Sequence, residues 1–376
     1  MTRSDRRVVI VGAGIVGAAC ARALALDGWQ VTIVDSRPVG SGSTAAGMGH
    51  IVVMDDSEAQ FALCQRSRQL WEDLAPRLPK TVEYDRAGTL WVAADDEEMV
   101  EVLRKHAFYQ DRNYEAEVLD SKALYHHEPN LRPGLVGGLR VPGDRVIYPP
   151  AAASWLLEQA VSLGASFQIR DSVQQIKTKI VEFADKSSIQ ADVVVLATGH
   201  LASNLVPGLP IRPRKGHLVI TDRYPGLVNH QLIELGYLKS AHSSDVDSVA
   251  FNVQPRPTGQ LLIGSSRQFG TDDPAVEPRM IERMLRRVIE YMPGLAKTIA
   301  IRAWTGFRAA TPDSLPLIGL HPDLPWLMIA AGHEGLGITT SLATAELIAD
   351  TLSQRPTAIP GAPYLPGRSF SSESHG

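Results

Sequence analysis

Short apolar runs and longer helical periods alternate along the chain, and this pattern predicts an α/β protein. Residues 8–11 form a run of β-branched side chains that is typical of a buried parallel strand. A helical pattern follows to about Leu26, Gly28 lies where a helix C-terminal glycine is expected, and a second apolar run, residues 31–34, ends at Asp35. The order strand, helix, strand predicts a βαβ unit.

Apolar strand patterns and helical patterns recur in separate segments along the rest of the chain. Helical patterns are predicted at residues 57–74, 96–112, 121–126, 149–163, 277–291 and 338–352. Residues 192–196 predict a second central strand, whereas the short alternating segments and turn residues of 218–263 predict an antiparallel sheet. Because the parallel-strand segments are scattered, we expect a discontinuous dinucleotide-binding domain with a second domain inserted into it.

Composition excludes several classes of protein. A chain of 376 residues is long enough for about two domains, and its net charge of −4 argues against a nucleic-acid binder. Cys20 and Cys64 lie in apolar helical patterns, so we expect buried free thiols, no metal or iron–sulfur site in this chain and a reducing, cytoplasmic setting. The apolar stretch 8–26 loosely resembles a signal peptide, but its glycine spacing explains it better. No run of eighteen or more uninterrupted apolar residues, the length a membrane span needs, occurs.

The strongest chemical signal is Gly12-x-Gly14-x-x-Gly17 between the first strand and its helix. Gly12 allows a tight turn, Gly14 lets the backbone approach a pyrophosphate, and Gly17 lets the helix pack closely on the strand. The helix N-terminus then offers N–H groups and a positive dipole end to the phosphates. Asp35, at the end of the second strand, can accept hydrogen bonds from ribose hydroxyls and argues against NADP; the motif alone does not separate FAD from NAD.

Further motifs resemble those of a known family, the FAD-dependent amino-acid oxidases and dehydrogenases (DAO superfamily) of the glycine-oxidase and D-amino-acid-dehydrogenase type. The resemblance rests on four segments in the family's order: residues 42–48 (GSTAAGM), 193–199 (VVVLATG), 306–319 (GFRAATPDSLPLIG) and 331–338 (AGHEGLGI). It implies a Rossmann-like FAD-binding domain of the GR2/DAO type with an inserted α+β substrate domain built on an antiparallel sheet. The expected boundaries are 1–55, 140–215 and 300–376 for the FAD-binding domain, and 56–139 and 216–299 for the substrate-binding domain.

The resemblance also implies an activity. Residues 262–267 and 333–339 are similar to the catalytic (beta) subunits of heteromeric bacterial dehydrogenases that act on D-hydroxyproline, opines or glycine, the last being the cyanide-forming kind. The expected reaction transfers hydride from the α-carbon of an amino acid to N5 of non-covalent FAD. D-hydroxyproline (D-proline) dehydrogenase is favoured, with a glycine/sarcosine-type oxidase that uses oxygen, or an opine oxidase subunit, as alternatives. An NAD-dependent dehydrogenase and an assembly or electron-relay flavoprotein are the competing classes.

The same resemblance assigns the cofactor contacts and the partners. The candidate FAD-binding residues are Gly12, Gly14, Ile15, Val16, Gly17, Asp35, Ser36, Ser43, Thr44, Ala46, Gly47, Val173, Ala197, Thr198, Gly199, Gly306, Gly332, Glu334, Gly335, Leu336, Gly337 and Ile338. Partner subunits carrying a second flavin, an iron–sulfur cluster or both are expected, because this chain has no cysteine cluster. The expected place is the cytoplasm, with peripheral association at the inner face of the cytoplasmic membrane as an alternative.

The expected substrate site centres on Arg308, whose guanidinium forks onto the substrate carboxylate in the family. Met48 and His333 are the other candidate catalytic residues. Met48 either approaches the flavin ring or packs in the core, and His333 either contacts flavin or holds its own loop. Further candidates without an assigned role are His217, Tyr148 and Tyr237; in the stretch around His217 the family usually has Arg and Gln where this chain has Lys215 and His217.

Overall fold

The computed structural model describes residues 6–236 and 247–370. Within them the chain forms two compact units, each assembled from separated segments. The first unit comprises residues 6–82, 148–213 and 307–370, and the second comprises residues 83–147, 214–236 and 247–306. The alternation of segments between the units agrees with the predicted insertion of one domain into another.

The secondary structure follows the hydrophobic pattern of the chain. The α-helices are α1 (Ile15–Leu26), α2 (Ser43–Ala46), α3 (Glu58–Leu74), α4 (Asp96–Gln110), α5 (Ser121–His127), α6 (Pro149–Ser162), α7 (Ala202–Leu205), α8 (Pro278–Tyr291) and α9 (Gly337–Ser353). The strands are β1 (Arg7–Val11), β2 (Gln30–Asp35), β3 (His50–Ile51), β4 (Thr89–Ala93), β5 (Glu117–Asp120), β6 (Gly137–Val141), β7 (Arg145–Val146), β8 (Ser166–Ile169), β9 (Val173–Lys177), β10 (Ile180–Phe183), β11 (Ser188–Gln190), β12 (Val193–Leu196), β13 (Arg212–Arg223), β14 (Gln231–Glu234), β15 (Ser248–Pro255), β16 (Gln260–Arg267), β17 (Ala300–Ala310), β18 (Leu317–His321) and β19 (Leu324–Ala331). The six predicted helices all form, with ends within two residues of the predicted ones.

The first unit is built on a six-stranded sheet in the order β18-β19-β12-β1-β2-β8. Its pairs are parallel except β18 with β19, which are antiparallel. Strand β1 is central, and its residues from Val8 to Val11 are at most 3% exposed. A central parallel strand is covered on both faces, which explains why this run is apolar at every position.

The helices of the first unit pack an early segment of the chain against a late one. Helix α1 packs against α6 and α9, and α9 also packs against α3. Gly28 has a φ of +78° just beyond α1, as the helix-ending glycine requires. Pro149 begins α6, where its missing N–H and fixed φ cost nothing. Cys20 and Cys64 are buried free thiols, which confirms the prediction for both.

The second unit is built on an eight-stranded sheet in the order β17-β13-β16-β15-β14-β4-β6-β5. The predicted antiparallel pattern holds for the pairs β13–β16, β15–β16, β14–β15 and β4–β6. Strands β4 and β14, which come from segments far apart in the chain, are instead parallel. One sheet face packs against Met284, Val288 and Tyr291 of the amphipathic helix α8.

The boundaries of the units differ from the expected domain boundaries. Residues 56–82 lie in the first unit, because α3 packs on α9. Residues 140–147 lie in the second unit, where β6 pairs with β4. Residues 300–306 also lie there, on β17 of the eight-stranded sheet. In residues 6–236 and 247–370, every helix is too short or too polar to cross a membrane.

Candidate functional site

The glycine motif forms a turn in which backbone segments touch. Gly12 has a φ of +106°, and a Cβ on it would lie 2.5 Å from the carbonyl oxygen of Ala197. A Cβ on Gly17 would lie 1.9 Å from the carbonyl oxygen of Gly12. Any side chain at these two positions would collide with backbone. Because Gly12 and Gly17 have no side chains, β1, α1 and the end of β12 can approach one another closely. A phosphate group can then approach the start of α1.

Asp35 fixes the shape of this turn from the end of β2. Its Oδ2 accepts the N–H of Ala13 at 2.8 Å, and its Oδ1 accepts the N–H of Arg37 at 3.0 Å. Each carboxylate oxygen keeps a further lone pair for a ligand hydroxyl. An open depression of about 580 Å³ begins at the next residue, lined by Ser36, Gln168, Ile169, Arg170, Asp171 and Asp185. Asp35 therefore has both a structural contact and room beside it for a nucleoside.

The segment after β2 is tied to the glycine turn by side-chain hydroxyls. Thr44 Oγ1 accepts the N–H of Ile15, the first residue of α1, at 3.0 Å. Ser43 Oγ donates to the carbonyl oxygen of Phe307 at 2.6 Å. Two candidate residues from one short helix thus connect the N-terminal motif to the residue before Arg308.

The same segment also meets the last helix. A Cβ on Gly47 would lie 2.7 Å from Cδ1 of Ile338, so a larger residue there would displace that side chain at the contact between α2 and the start of α9. Ala46 precedes it in α2. Met48 follows and is 8% exposed, which places its side chain in the interior of the protein. Packing in the core is the interpretation of Met48 that this burial favours.

The second predicted flavin segment lies directly beside the first. The N–H of Ala197 donates to the carbonyl oxygen of Val11, so the end of β12 adjoins the glycine turn. Thr198 Oγ1 is buried, and no described residue offers it a hydrogen-bond partner. Buried hydroxyls are nearly always paired in native proteins, so this atom is suited to a ligand. Gly199 follows with a φ of +60°.

The C-terminal motif forms a tight turn that feeds α9. Gly332 has a φ of +81°, and a Cβ there would lie 2.7 Å from Cγ2 of Thr311. The N–H of Glu334 donates to the carbonyl oxygen of Ala309. The N–H of Leu336 donates to the carbonyl oxygen of His333, and α9 begins at the next residue, Gly337. The N–H groups at the start of α9 and its positive dipole end can stabilise negative charge on a bound group.

His333 is anchored to the helix that it precedes. Its Nε2 lies 2.9 Å from Oγ1 of Thr344, and both residues are buried. Burial lowers the pKa of His333 to about 3, so the ring is neutral at physiological pH. This geometry favours a role in holding the turn over a role as a proton donor.

Arg308 lies next to that turn, near the end of β17. Its side chain is half-buried, and its Nε lies 3.6 Å from the position that a Cβ on Gly335 would occupy. A side chain at Gly335 would lie against the guanidinium, so glycine leaves room beside it. Arg308 and the glycine turn before α9 are therefore neighbours.

Other candidates lie elsewhere in the fold. Val173 begins β9, where it pairs with Phe183 in a small antiparallel sheet. Gly306 belongs to the second unit. Tyr148 is 40% exposed at the start of α6, and Tyr237 lies outside the described residues.

His217 lies in the second unit within a hydrogen-bonded group. Its Nε2 accepts the N–H of Glu277 at 3.1 Å, and its Nδ1 lies 3.0 Å from Oγ of Ser266. Burial, and then the charge of Lys215, lower the pKa of His217. The buried Lys215 ammonium pairs with Oε1 of Glu277 at 2.8 Å. Lys215 and His217 are therefore both linked to Glu277, the first through its ammonium group and the second through its ring nitrogen.

Sequence analysis assigned no role to four residues near the candidate site: Gly40, Gly42, Arg37 and His200. Gly40 and Gly42 both have a positive φ, and a Cβ on Gly42 would lie 3.0 Å from Nη2 of Arg37. The ring of His200 lies 5.2 Å from that of Phe307. Burial, and then the charge of Arg37, lower the pKa of His200. The Gly-x-Gly spacing directly after β2 was a readable signal for the first two. In residues 6–236 and 247–370, no cluster of three His, Cys, Asp or Glu side chains could hold a metal ion.

Known proteins are similar to this chain in sequence and in fold. The model of the family "FAD dependent oxidoreductase" (DAO) matches residues 7–351. Glycine oxidase of Geobacillus kaustophilus is 28% identical over 372 residues, which cover 95% of each chain. The crystal structure of a glycine oxidase from the same species covers 97% of this chain and 100% of its own, with a TM-score of 0.87 and 27% identity. L-proline dehydrogenase from P. horikoshii has a TM-score of 0.86 at 24% identity, covers 96% of each chain, and supports the fold.

The residues described above fit FAD. Gly12 and Gly17 let backbone close into a tight turn at the N-terminus of α1, the buried hydroxyl of Thr198 lies beside that turn, and Asp35 stands next to an open depression. These features suit a diphosphate and a ribose, which FAD carries. The chain belongs to the DAO family of FAD-dependent oxidoreductases.

Proposed function

We propose that this protein oxidises a cyclic secondary amino acid, with D-hydroxyproline or D-proline as the preferred substrate. The observation that supports binding of a carboxylate is the position of Arg308, half-buried beside the side-chain-free Gly335 in the turn before α9. The choice of a cyclic substrate is supported by the resemblance of residues 262–267 and 333–339 to the dehydrogenase subunits. A planar guanidinium with parallel N–H donors matches an amino-acid carboxylate. When bound, FAD supplies the acceptor for the two electrons and the hydrogen removed from the substrate's CH–NH unit.

The protein's own groups contribute orientation and electrostatics. Arg308 holds the carboxylate and so fixes the direction of the α-carbon. The start of α9 offers N–H groups to negative charge that develops during the reaction. His333 is neutral and bonded to Thr344, so it supports the turn and moves no proton. The substrate amine must lose its proton before oxidation, and activity is therefore expected to rise with pH until that amine is neutral.

Glycine oxidation is the second candidate. It is favoured by the glycine oxidase of Geobacillus kaustophilus, which matches 95% of this chain. The two candidates differ in the size of the substrate and in the electron acceptor. An oxidase passes electrons to oxygen, whereas the resemblance of residues 262–267 to dehydrogenase subunits supports a partner subunit as the acceptor.

An anaerobic bleaching screen separates these candidates. The yellow holoenzyme is mixed with D-hydroxyproline, D-proline, sarcosine, glycine, D-alanine or an opine, and the loss of flavin absorbance is followed. We expect the fastest bleaching with D-hydroxyproline, and slow oxygen uptake by the same sample in air. Fastest bleaching with glycine, together with rapid oxygen uptake, would replace the first candidate with the second. Failure of every amino acid to bleach the flavin would overturn both.

A further inference from the structure

Two side chains from distant parts of the first unit hold Phe307, the residue before Arg308. Ser43 Oγ, in α2, donates to the carbonyl oxygen of Phe307 at 2.6 Å. The ring of His200, which follows β12, lies 5.2 Å from the ring of Phe307, with an angle of 37° between the two planes. Phe307 is therefore held through its backbone by one segment and through its side chain by another.

These contacts bear on the backbone that carries the Arg308 side chain. The carbonyl group of Phe307 and the N–H of Arg308 belong to one planar peptide unit, so the hydrogen bond from Ser43 fixes that plane. Beyond Arg308, the carbonyl oxygen of Ala309 accepts the N–H of Glu334 at 3.0 Å. The backbone on both sides of the Arg308 α-carbon is thus tied to other segments of the first unit.

The ring of Phe307 sets how β17 is turned at this point. Successive side chains of a strand point to opposite faces, so the Phe307 ring and the Arg308 guanidinium leave β17 on opposite sides. A shift of the ring turns the strand about its own axis, and the guanidinium at the end of its long side chain moves with it. The packing of His200 on Phe307 therefore reaches the carboxylate-binding group through the strand.

The state of His200 suits packing better than proton transfer. Its side chain is half-buried. Burial, and then the charge of Arg37, lower the pKa of His200, so the imidazole is neutral at physiological pH. Aromatic pairs are favourable at centroid separations of about 4.5–7 Å, and the separation from Phe307 lies in that range. The contact is therefore one between two uncharged rings.

We propose that His200 is a positioning residue for substrate binding, whose ring holds Phe307 and thereby keeps the Arg308 guanidinium in place for the substrate carboxylate. The inference rests on the proposed function, in which Arg308 binds that carboxylate. In this role His200 contributes the shape of an aromatic ring, and its ring nitrogens are not required. A phenyl ring at position 200 is therefore expected to serve as well.

The first test measures carboxylate binding without catalysis. The purified holoenzyme is titrated with pyrrole-2-carboxylate, a ring carboxylate without a saturated CH–NH unit to oxidise, and the Kd is measured by isothermal titration calorimetry. His200→Ala is expected to raise this Kd by about 3- to 10-fold, the loss expected for one aromatic pair. His200→Phe is expected to stay within about 2-fold of the wild type. Leu201→Ala is the matched control, because Leu201 is the next residue and is 41% exposed, and it is expected to keep the wild-type Kd.

The second test separates positioning from a general weakening of the fold. With the amino acid that bleaches the flavin fastest, His200→Ala is expected to raise KM by about 3- to 10-fold and to change kcat by less than about 2-fold, because the carboxylate contact is made in the ground state and in the transition state. In an Arg308→Ala background, His200→Ala is expected to leave kcat/KM unchanged, since the group that it positions is gone. A merely structural role would lower kcat/KM in both backgrounds alike.

Three results would overturn the proposal. The first is an equal loss of kcat/KM in the two backgrounds, and the second is a His200→Phe variant that binds pyrrole-2-carboxylate as weakly as His200→Ala does. The third concerns the cofactor, because His200→Ala is expected to hold as much FAD as the wild type, as measured by flavin absorbance. A loss of FAD that parallels the loss of carboxylate binding would show that His200 supports the cofactor segment instead.

Failure of the proposed function gives a different result. If no cyclic amino acid is oxidised, but His200→Ala weakens the binding of pyrrole-2-carboxylate and His200→Phe restores it, the proposed function fails and the positioning role stands. If a cyclic amino acid is oxidised and His200→Ala binds and reacts as the wild type does, the proposed function stands and the positioning role is refuted.

Discussion

Replacing Gly17 with alanine tests how closely the glycine turn controls cofactor binding. A Cβ at this position would lie 1.9 Å from the carbonyl oxygen of Gly12, so α1 and the turn must separate by about 1 Å. Overpacking of this kind typically costs about 1–3 kcal/mol. The displaced α1 N-terminus would hold the diphosphate less well, and a loss of that size corresponds to a weakening of FAD binding by about 5- to 150-fold.

The assay is a titration of apoprotein with FAD, followed by the change in flavin fluorescence. Gly28→Ala is the matched control in the same βαβ unit, because its φ of +78° strains an alanine although no atom lies within 4 Å of the added Cβ. The control is expected to melt at a lower temperature, through a strain of about 1 kcal/mol, and to bind FAD as the wild type does. If the Kd for FAD is unchanged in Gly17→Ala, the reasoning from backbone collision is refuted.

Three further predictions concern charge and protonation. Arg308→Ala is expected to lower kcat/KM for carboxylated substrates by a factor that corresponds to about 2–4 kcal/mol of activation free energy. The kcat/KM of Arg308→Lys is expected to lie between those of the wild type and Arg308→Ala, and steady-state kinetics with an unchanged kcat/KM would remove this residue from the site. Burial holds the pKa of His333 at about 3, whereas a histidine in the unfolded chain has a pKa of ~6.5. The contribution of His333 to the stability of the fold is therefore complete above pH ~6.5 and is lost as the pH falls towards 3. Denaturant unfolding of His333→Gln should therefore show a shallower loss of stability over that range, by up to about 1.4 kcal/mol per pH unit, and identical slopes would contradict this. Glu277→Ala is expected to destabilise the protein by about 1–3 kcal/mol more than Lys215→Met, because it leaves a buried ammonium unpaired; thermal melts giving the reverse order would disprove it.

The local elements of the fold were predictable because they depend on neighbouring residues. The helix from Glu58 has Ser57 at its N-cap, accepting the N–H of Gln60, and its apolar period is visible in the sequence. The apolar runs at β1 and β12 indicated central strands correctly. The parallel pairing of β4 with β14 was missed, since nothing in either segment encodes a partner so far away in the chain.

In the candidate site, too, features that depend on neighbouring residues were predictable and contacts between distant segments were not. Gly12 and Gly17 were identified from spacing, and the backbone collisions at both positions give the physical reason. The hydrogen bond from Ile15 to Thr44 joins segments that only the fold brings together. The register of β14 with β4 and β15 could not be predicted for the same reason, because the pairing of distant strands cannot be read from a single sequence.

The contact between Gly47 and Ile338 has a consequence for how the protein matures. One side of the cofactor cradle is made by residues near the N-terminus, and the other by the helix that starts at Gly337. Because the chain is synthesised from its N-terminus, the helix that starts at Gly337 is missing until most of the chain has been made. Loading of FAD is therefore a late event, and a protein that ends before that helix would emerge colourless even with every glycine of the first turn intact.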